Sequence, residues 1–226
     1  MNLARKLSAE FLGTAMFLAA VVGSGIMGER LSGGNVAIAL LANSIATGAV
    51  LISLIITFGK ISGAHFNPVV TIASAMQRHI PWKVVPGFIT AQVAGAFLGV
   101  AAAHLMFNVP LFSQSEHIRD GWSQIFSEFI ATFGLISIIF GSSKQSPNLA
   151  PFAVGLYIVG AYWFTSSTSF ANPAVTLARA FTNTFSGIRL VDTPSFILAQ
   201  MFGAISATIF FKWLLPRQAS LSNISE

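Results

Sequence analysis

The chain has 226 residues, of which 54% are hydrophobic and only 8% charged, with no cysteine and a mean hydropathy of +0.74. A soluble domain carries about 25% charged residues, so this composition excludes a water-covered soluble enzyme and a disordered chain. The 12 Lys and Arg residues give a net charge of +5 but form no stripe, which argues against nucleic acid as a partner, and the lack of Cys removes disulfides, thiolate nucleophiles and Cys-ligated metals.

The expected class is a polytopic, all-α membrane protein. Apolar runs sit near residues 7–27, 36–58, 82–106, 121–141, 149–166 and 193–215. A spanning helix needs about 20 residues, and none of these runs shows the period-two alternation of a membrane barrel. The first run contains Glu10 and is followed closely by a second, so it reads as a retained span and not a cleaved signal. Two shorter stretches, about 66–77 and 171–182, each begin at Asn-Pro, and their length suits re-entrant half-helices. With the N-terminus inside, the cytoplasmic loops carry Arg5, Lys6, Lys60, Arg78, Lys83, Lys144, Lys212 and Arg217. The outer loops carry Arg30, Arg119, Arg179 and Arg189. This bias places both termini in the cytoplasm.

The sequence repeats itself. Glu10-Phe11 matches Glu128-Phe129, His65-Phe66-Asn67-Pro68-Val69-Val70-Thr71 matches Phe170-Ala171-Asn172-Pro173-Ala174-Val175-Thr176, and Gln92 with Gly95 matches Gln200 with Gly203. The three matches fall in the same order, so the chain reads as one channel domain, 1–226, built from units at about 7–106 and 121–215. Each unit has three spans and one half-helix. An odd number of spans inverts the second unit relative to the first, the arrangement in which transport sites form near the midplane where broken helices meet.

Asn-Pro has a clear local chemistry. Pro is favoured at the first helical position because it has no N–H to leave unpaired. Asn caps the helix by accepting from first-turn amides, which leaves its NH2 with two donors free. In an inverted pair, two positive helix ends meet with Asn67 and Asn172 between them. A passing hydroxyl turns its oxygen toward these donors, and a cation meets no compensating anion. The backbone of Gly63, Ala64 and His65, and of Thr168, Ser169 and Phe170, then lies at membrane depth, which is tolerated only inside protein or along a watery cavity. Their carbonyls are expected to form acceptor ladders.

Glu10 and Glu128 are intramembrane carboxylates, each a functional candidate. They read either as proton-coupling acids or as structural acceptors for re-entrant loop amides. Their equivalent repeat positions favour the structural role, shared with Gln92 and Gln200. His65 reads as a hydrogen-bonded strut or a proton relay. The four His residues (His65, His79, His104 and His117) show no metal-ligand spacing, so no metal, cofactor or enzymatic role is expected. A proton-coupled transporter remains the competing function from another class.

These residues resemble the major intrinsic protein family, the aquaporins and aquaglyceroporins, over about residues 8 to 215. The resemblance implies a passive channel with six spans per protomer, four protomers in a homotetramer, and Asn67, Pro68, Val69, Asn172, Pro173 and Ala174 at the pore centre. It further implies neutral small-molecule permeants in a bilayer, here a bacterial plasma membrane. Two departures stand out. The first motif ends in Val69 where the family pattern has Ala, and Val175 occupies the position where most members carry a filter Arg. Counting from the motifs places the other filter positions at Thr47, Gly160 and Ser169. This set is wide, weakly polar and uncharged, similar to bacterial channels associated with arsenic resistance. It implies passage of glycerol-like polyols and uncharged arsenous acid, or, in the alternative, mainly water. Arg179, one helical turn beyond Val175, is expected either in the outer vestibule or snorkelling to the headgroups.

Overall fold

The structure, a computed structural model, describes residues 1–215; Arg217, counted above among the inner cations, lies outside the described residues. Eight α-helices occur in the order α1 (Leu3–Leu31), α2 (Val36–Ser62), α3 (Pro68–Met76), α4 (Val85–Phe107), α5 (Trp122–Gln145), α6 (Ala150–Phe164), α7 (Pro173–Arg179) and α8 (Thr193–Leu214), with short 3-10 turns preceding α4 and α8. There is no strand among the described residues.

Local chemistry sets the helix starts. Asn2 and Asn35 cap α1 and α2 through their side-chain oxygens, and α3 and α7 each begin with Pro behind an Asn cap. Five helices are long and apolar enough to cross a bilayer, taking the 3-10 turns before α4 and α8 as part of their spans. α6 falls short of the expected span. Its 15 residues rise about 22 Å at 1.5 Å per residue. It ends at Phe164 because the chain turns there into Thr165–Ala171, which re-enters the protein ahead of α7.

Helix α1 packs along α4, and α5 packs along α8 in the same way. The shared motif glycines permit this. A Cβ on Gly95 would collide with the backbone of Phe11 in α1, and a Cβ on Gly203 would lie 2.5 Å from the Phe129 carbonyl in α5. Helices α2 and α6 cross between the two units, where a Cβ on either Gly48 or Gly155 would come within 2.7 Å of the other's carbonyl oxygen. Helix α3 lies against α4 and α8, α7 lies against the same two helices, and the N-termini of α3 and α7 meet. The outer surface is apolar, with Leu41, Ile56, Leu98, Leu156, Phe202 and Ile209 all exposed. The buried set includes Glu10, Asn43, Gln92, His104, Glu128 and Arg179. Polar groups inside and apolar groups outside are what lipid as solvent selects.

Candidate functional site

The two Asn-Pro segments meet as a reciprocal pair. Asn67 Oδ1 accepts from the Val69 amide at 3.0 Å, and Asn172 Oδ1 accepts from the amides of Ala174 (3.0 Å) and Val175 (3.3 Å). These are the expected caps. The NH2 groups are arranged differently from expectation. Asn67 Nδ2 donates to the Ala171 carbonyl and Asn172 Nδ2 donates to the Phe66 carbonyl, both at 2.8 Å. Each Asn therefore keeps one free N–H and not two, because its other N–H ties its half-helix to the opposite loop.

Each re-entrant loop is held from behind by a carboxylate. Glu10 accepts from Ser62 Oγ (2.6 Å), the amides of His65 (3.0 Å) and Phe66 (2.7 Å), and Gln92 Nε2 (2.8 Å). Glu128 accepts from the amides of Phe170 and Ala171, both at 2.9 Å, and from Gln200 Nε2 at 2.6 Å. Gln92 also donates to Thr71 Oγ1 and Gln200 to Thr176 Oγ1, and each Thr hydroxyl donates to the carbonyl of its capping Asn. Both carboxylates are fully buried and every partner is a donor. Thr71 and Thr176 were visible in the matched motifs, four residues past each Asn, but their role depends on this closed relay.

The loop amides point toward the carboxylates because the backbone there is unusual. Gly63, Ala64 and Phe66 in the first loop, and Thr168, Ser169 and Ala171 in the second, have positive φ. At Gly63, φ is 101° and a Cβ would lie 2.9 Å from His65 Nε2, so a side chain there would be strained and would push on the His65 ring. The carbonyls of Gly63, Ala64 and His65, and of Thr168, Ser169 and Phe170, accept no hydrogen bond among the described residues. Buried backbone acceptors without a protein partner are the groups that water or a solute hydroxyl satisfies. The His65 ring sits between Thr71 Oγ1 (3.1 Å) and Ser74 Oγ (3.3 Å), so both of its nitrogens are engaged.

A cavity of about 240 Å³ leads up to the Asn pair. It is lined by Phe17, Leu51, Ile55, Leu135 and Ile139, by His79 and Ser143, and by Asn67 and Asn172. From α6 it receives Ala150, Val154 and Ile158, a row spaced by four.

The phase of that row bears on the α6 residue expected in the filter, Gly160. Gly160 lies two residues past Ile158, about 200° around the helix. It is exposed, and a Cβ there would meet no atom within 4 Å. The residue that continues the row is Tyr162, which is buried and donates from its hydroxyl to Thr47 Oγ1 at 3.4 Å. Helical phase from Ile158 thus points to Tyr162, where counting from the motifs points to Gly160. Thr47, Ser169 and Val175 are all buried. Arg179 does not snorkel. It is 2% exposed, it donates from Nε to the Ser186 carbonyl, and its guanidinium carbon lies 3.4 Å from the centre of the Phe170 ring.

This geometry sits on a known sequence pattern. The profile of the family described as "Major intrinsic protein" matches residues 1–169, about three-quarters of the chain. The chain belongs to the major intrinsic protein family. It is an integral membrane protein of that family of non-enzymatic channels. It is 50% identical to "Aquaglyceroporin AqpS" of Rhizobium meliloti (strain 1021) over 214 residues, covering 95% of this chain and 91% of that one. It is 34% identical to "Aquaporin NIP6-1" of Arabidopsis thaliana over 92% of this chain and 69% of that one. Among solved structures, the aquaglyceroporin from Plasmodium falciparum superposes with a TM-score of 0.73 at 20% identity, covering 95% of this chain and 98% of that chain, which supports the aquaporin fold.

Proposed function

We propose that this member of the family conducts small neutral polyhydroxylated solutes of glycerol size, together with water, by passive diffusion past the Asn67–Asn172 pair. The observation that carries the reading is the pairing of one free N–H on each Asn with unpaired loop carbonyls on either side. A polyol has both donors and acceptors and exchanges its hydration for this ladder without a charged intermediate. The 50% identical relative named an aquaglyceroporin supports a permeant of that class. Val175, in place of a filter Arg, leaves more room for a carbon chain at that level. Uncharged arsenous and antimonous acids carry three hydroxyls as glycerol does and fall in the same size and polarity class. The lysine and arginine bias supports cytoplasmic termini, and the apolar exposed helix faces suit either lipid or the neighbouring subunits of a homotetramer in a bacterial plasma membrane.

A proton-coupled transporter would need titratable groups along the path. Glu10 and Glu128 are spent on loop amides, which argues against that reading. The test is stopped-flow light scattering on proteoliposomes with water, glycerol, urea and arsenous acid. Non-saturating glycerol flux, independent of a pH gradient, is the expected result. Water flux without glycerol flux would overturn the solute assignment.

A further inference from the structure

The passage lacks a positive charge at Val175, yet two arginines from other parts of the chain converge just outward of it. Arg179 lies one helical turn further out on α7, an outward step of about 6 Å. Arg119 belongs to the α4–α5 connection. Its Nε donates to the Gly187 carbonyl (2.8 Å) and its Nη1 to the Ser167 carbonyl (3.1 Å) and Thr168 Oγ1 (3.4 Å). These last two contacts fall on the outer end of the second re-entrant loop. Both guanidinium groups lie against the same ring, with the Arg119 carbon 4.9 Å and the Arg179 carbon 3.4 Å from the centre of Phe170.

Neither charge is neutralised. Among the described residues, Arg119 and Arg179 form no ion pair with a carboxylate. The nearby acids are engaged elsewhere: Arg189 bridges Asp120 and Asp192, at 2.9 and 3.0 Å, and Asp192 also accepts the Arg119 backbone amide at 2.9 Å. Arg119 is thereby fixed through its backbone, with its side chain committed to carbonyls. The two Nη groups of Arg179, and Nη2 of Arg119, donate to no other group among the described residues. Arg119 lies three residues before the start of α5, and the connection it belongs to is laid over the second loop by the Ser115 amide donating to the Ala180 carbonyl and the Arg189 amide donating to the His117 carbonyl. Burial lowers the Arg119 pKa to about 10, which leaves it protonated at neutral pH.

We propose that Arg119 and Arg179 together supply the outer positive charge that Val175 does not, as the cation-excluding and hydroxyl-donating residues of the outer mouth. This rests on the channel reading above. Moving the charge outward, and dividing it between a half-helix and a loop, leaves room at Val175 for a polyol while retaining a barrier to cations. Free N–H groups on a fixed guanidinium match the oxygens of a neutral polyol or a metalloid hydroxide.

The experiment compares wild type, Arg119→Gln and Arg119→Lys, reconstituted at matched density. Glycerol permeability is read by light scattering and potassium leak by an entrapped indicator in the same vesicles. The expected result is a potassium-to-glycerol ratio that rises at least about tenfold in Arg119→Gln and returns close to wild type in Arg119→Lys, which keeps the charge. Equal ratios in all three proteins, or equal changes in the Gln and Lys variants, would overturn the proposal, the latter by assigning Arg119 a packing role. If Arg119→Gln does not yield folded protein, Arg179→Gln against Arg179→Lys decides on the same ratio. Wild-type vesicles no more permeable to glycerol than protein-free ones would instead overturn the channel reading itself.

Discussion

Asn67 and Asn172 each donate to the carbonyl of the residue that precedes the other, Ala171 and Phe66 respectively, at 2.8 Å. The two half-helices are thus locked to one another by the same side chains that present donors to the passage. Position and chemistry cannot be separated at this pair.

Asn172→Asp removes the N–H that meets the Phe66 carbonyl and sets a carboxylate oxygen against it. An unsatisfied buried acceptor costs about 1–3 kcal/mol. The negative charge also cancels part of the positive field of the two helix ends. The expected outcome is lower thermal stability, reduced glycerol flux and increased cation leak. A folded Asn172→Asp protein with glycerol flux and cation leak both equal to wild type would remove the pair from the permeation path.

The carboxylates lead to a different outcome. Gln in place of Glu10 retains one acceptor oxygen but turns an NH2 toward donors, so one or two of the Ser62, His65, Phe66 and Gln92 donors lose their partner. The cost is about 2–4 kcal/mol, seen as a fall in Tm of roughly 5–10 °C for a chain of this length. Flux per folded protein should remain independent of a pH gradient. A variant of unaltered Tm that has lost pH-driven uptake would show Glu10 to be a coupling acid. Glu128→Gln should behave in the same way, because Glu128 holds the second loop through the Phe170 and Ala171 amides.

Much of this arrangement was legible in the sequence, for a physical reason. Asn followed by Pro encodes both a cap and a helix start within two residues, so α3 and α7 begin where the local pattern says. The matched positions of Glu10 and Glu128, and of Gln92 and Gln200, made a structural role readable before any contact was known. What stayed hidden depends on tertiary placement. The crossed Asn donors arise only when two loops about a hundred residues apart meet. The Tyr162 contact with Thr47 depends on how α6 packs on α2. Arg119 gave no signal, because its site is defined by carbonyls of Ser167 and Gly187, and a backbone carbonyl has no sequence signature.

The placement of Tyr162 makes a direct contrast with Gly160. Tyr162→Ala removes the buried phenol ring that bonds Thr47 and widens the passage at that level. The ratio of erythritol to glycerol permeability should rise several-fold. Gly160→Val should leave that ratio at its wild-type value, since a Cβ at Gly160 meets nothing within 4 Å. The reverse pattern would restore Gly160 to the filter.

Val175→Arg tests how the outer half discriminates by size. Val175 is buried in the first turn of α7, its amide bonded to Asn172 Oδ1. A guanidinium there adds a long side chain with five donors, in a region already flanked by Arg179. Water needs the least cross-section and can accept from the new donors in single file. Glycerol must pass its carbon backbone beside them. Glycerol and arsenous acid fluxes should therefore fall by a larger factor than water flux, by about tenfold for each 1.4 kcal/mol added to the barrier. The added charge also lies close to Arg179 without a carboxylate to separate them, so Tm should fall as well, and fluxes are to be compared per folded protein. Stopped-flow light scattering at matched density decides the matter. Equal fractional losses for water and glycerol would mean that Val175 does not set the size limit, and would move that limit to Tyr162 and Thr47.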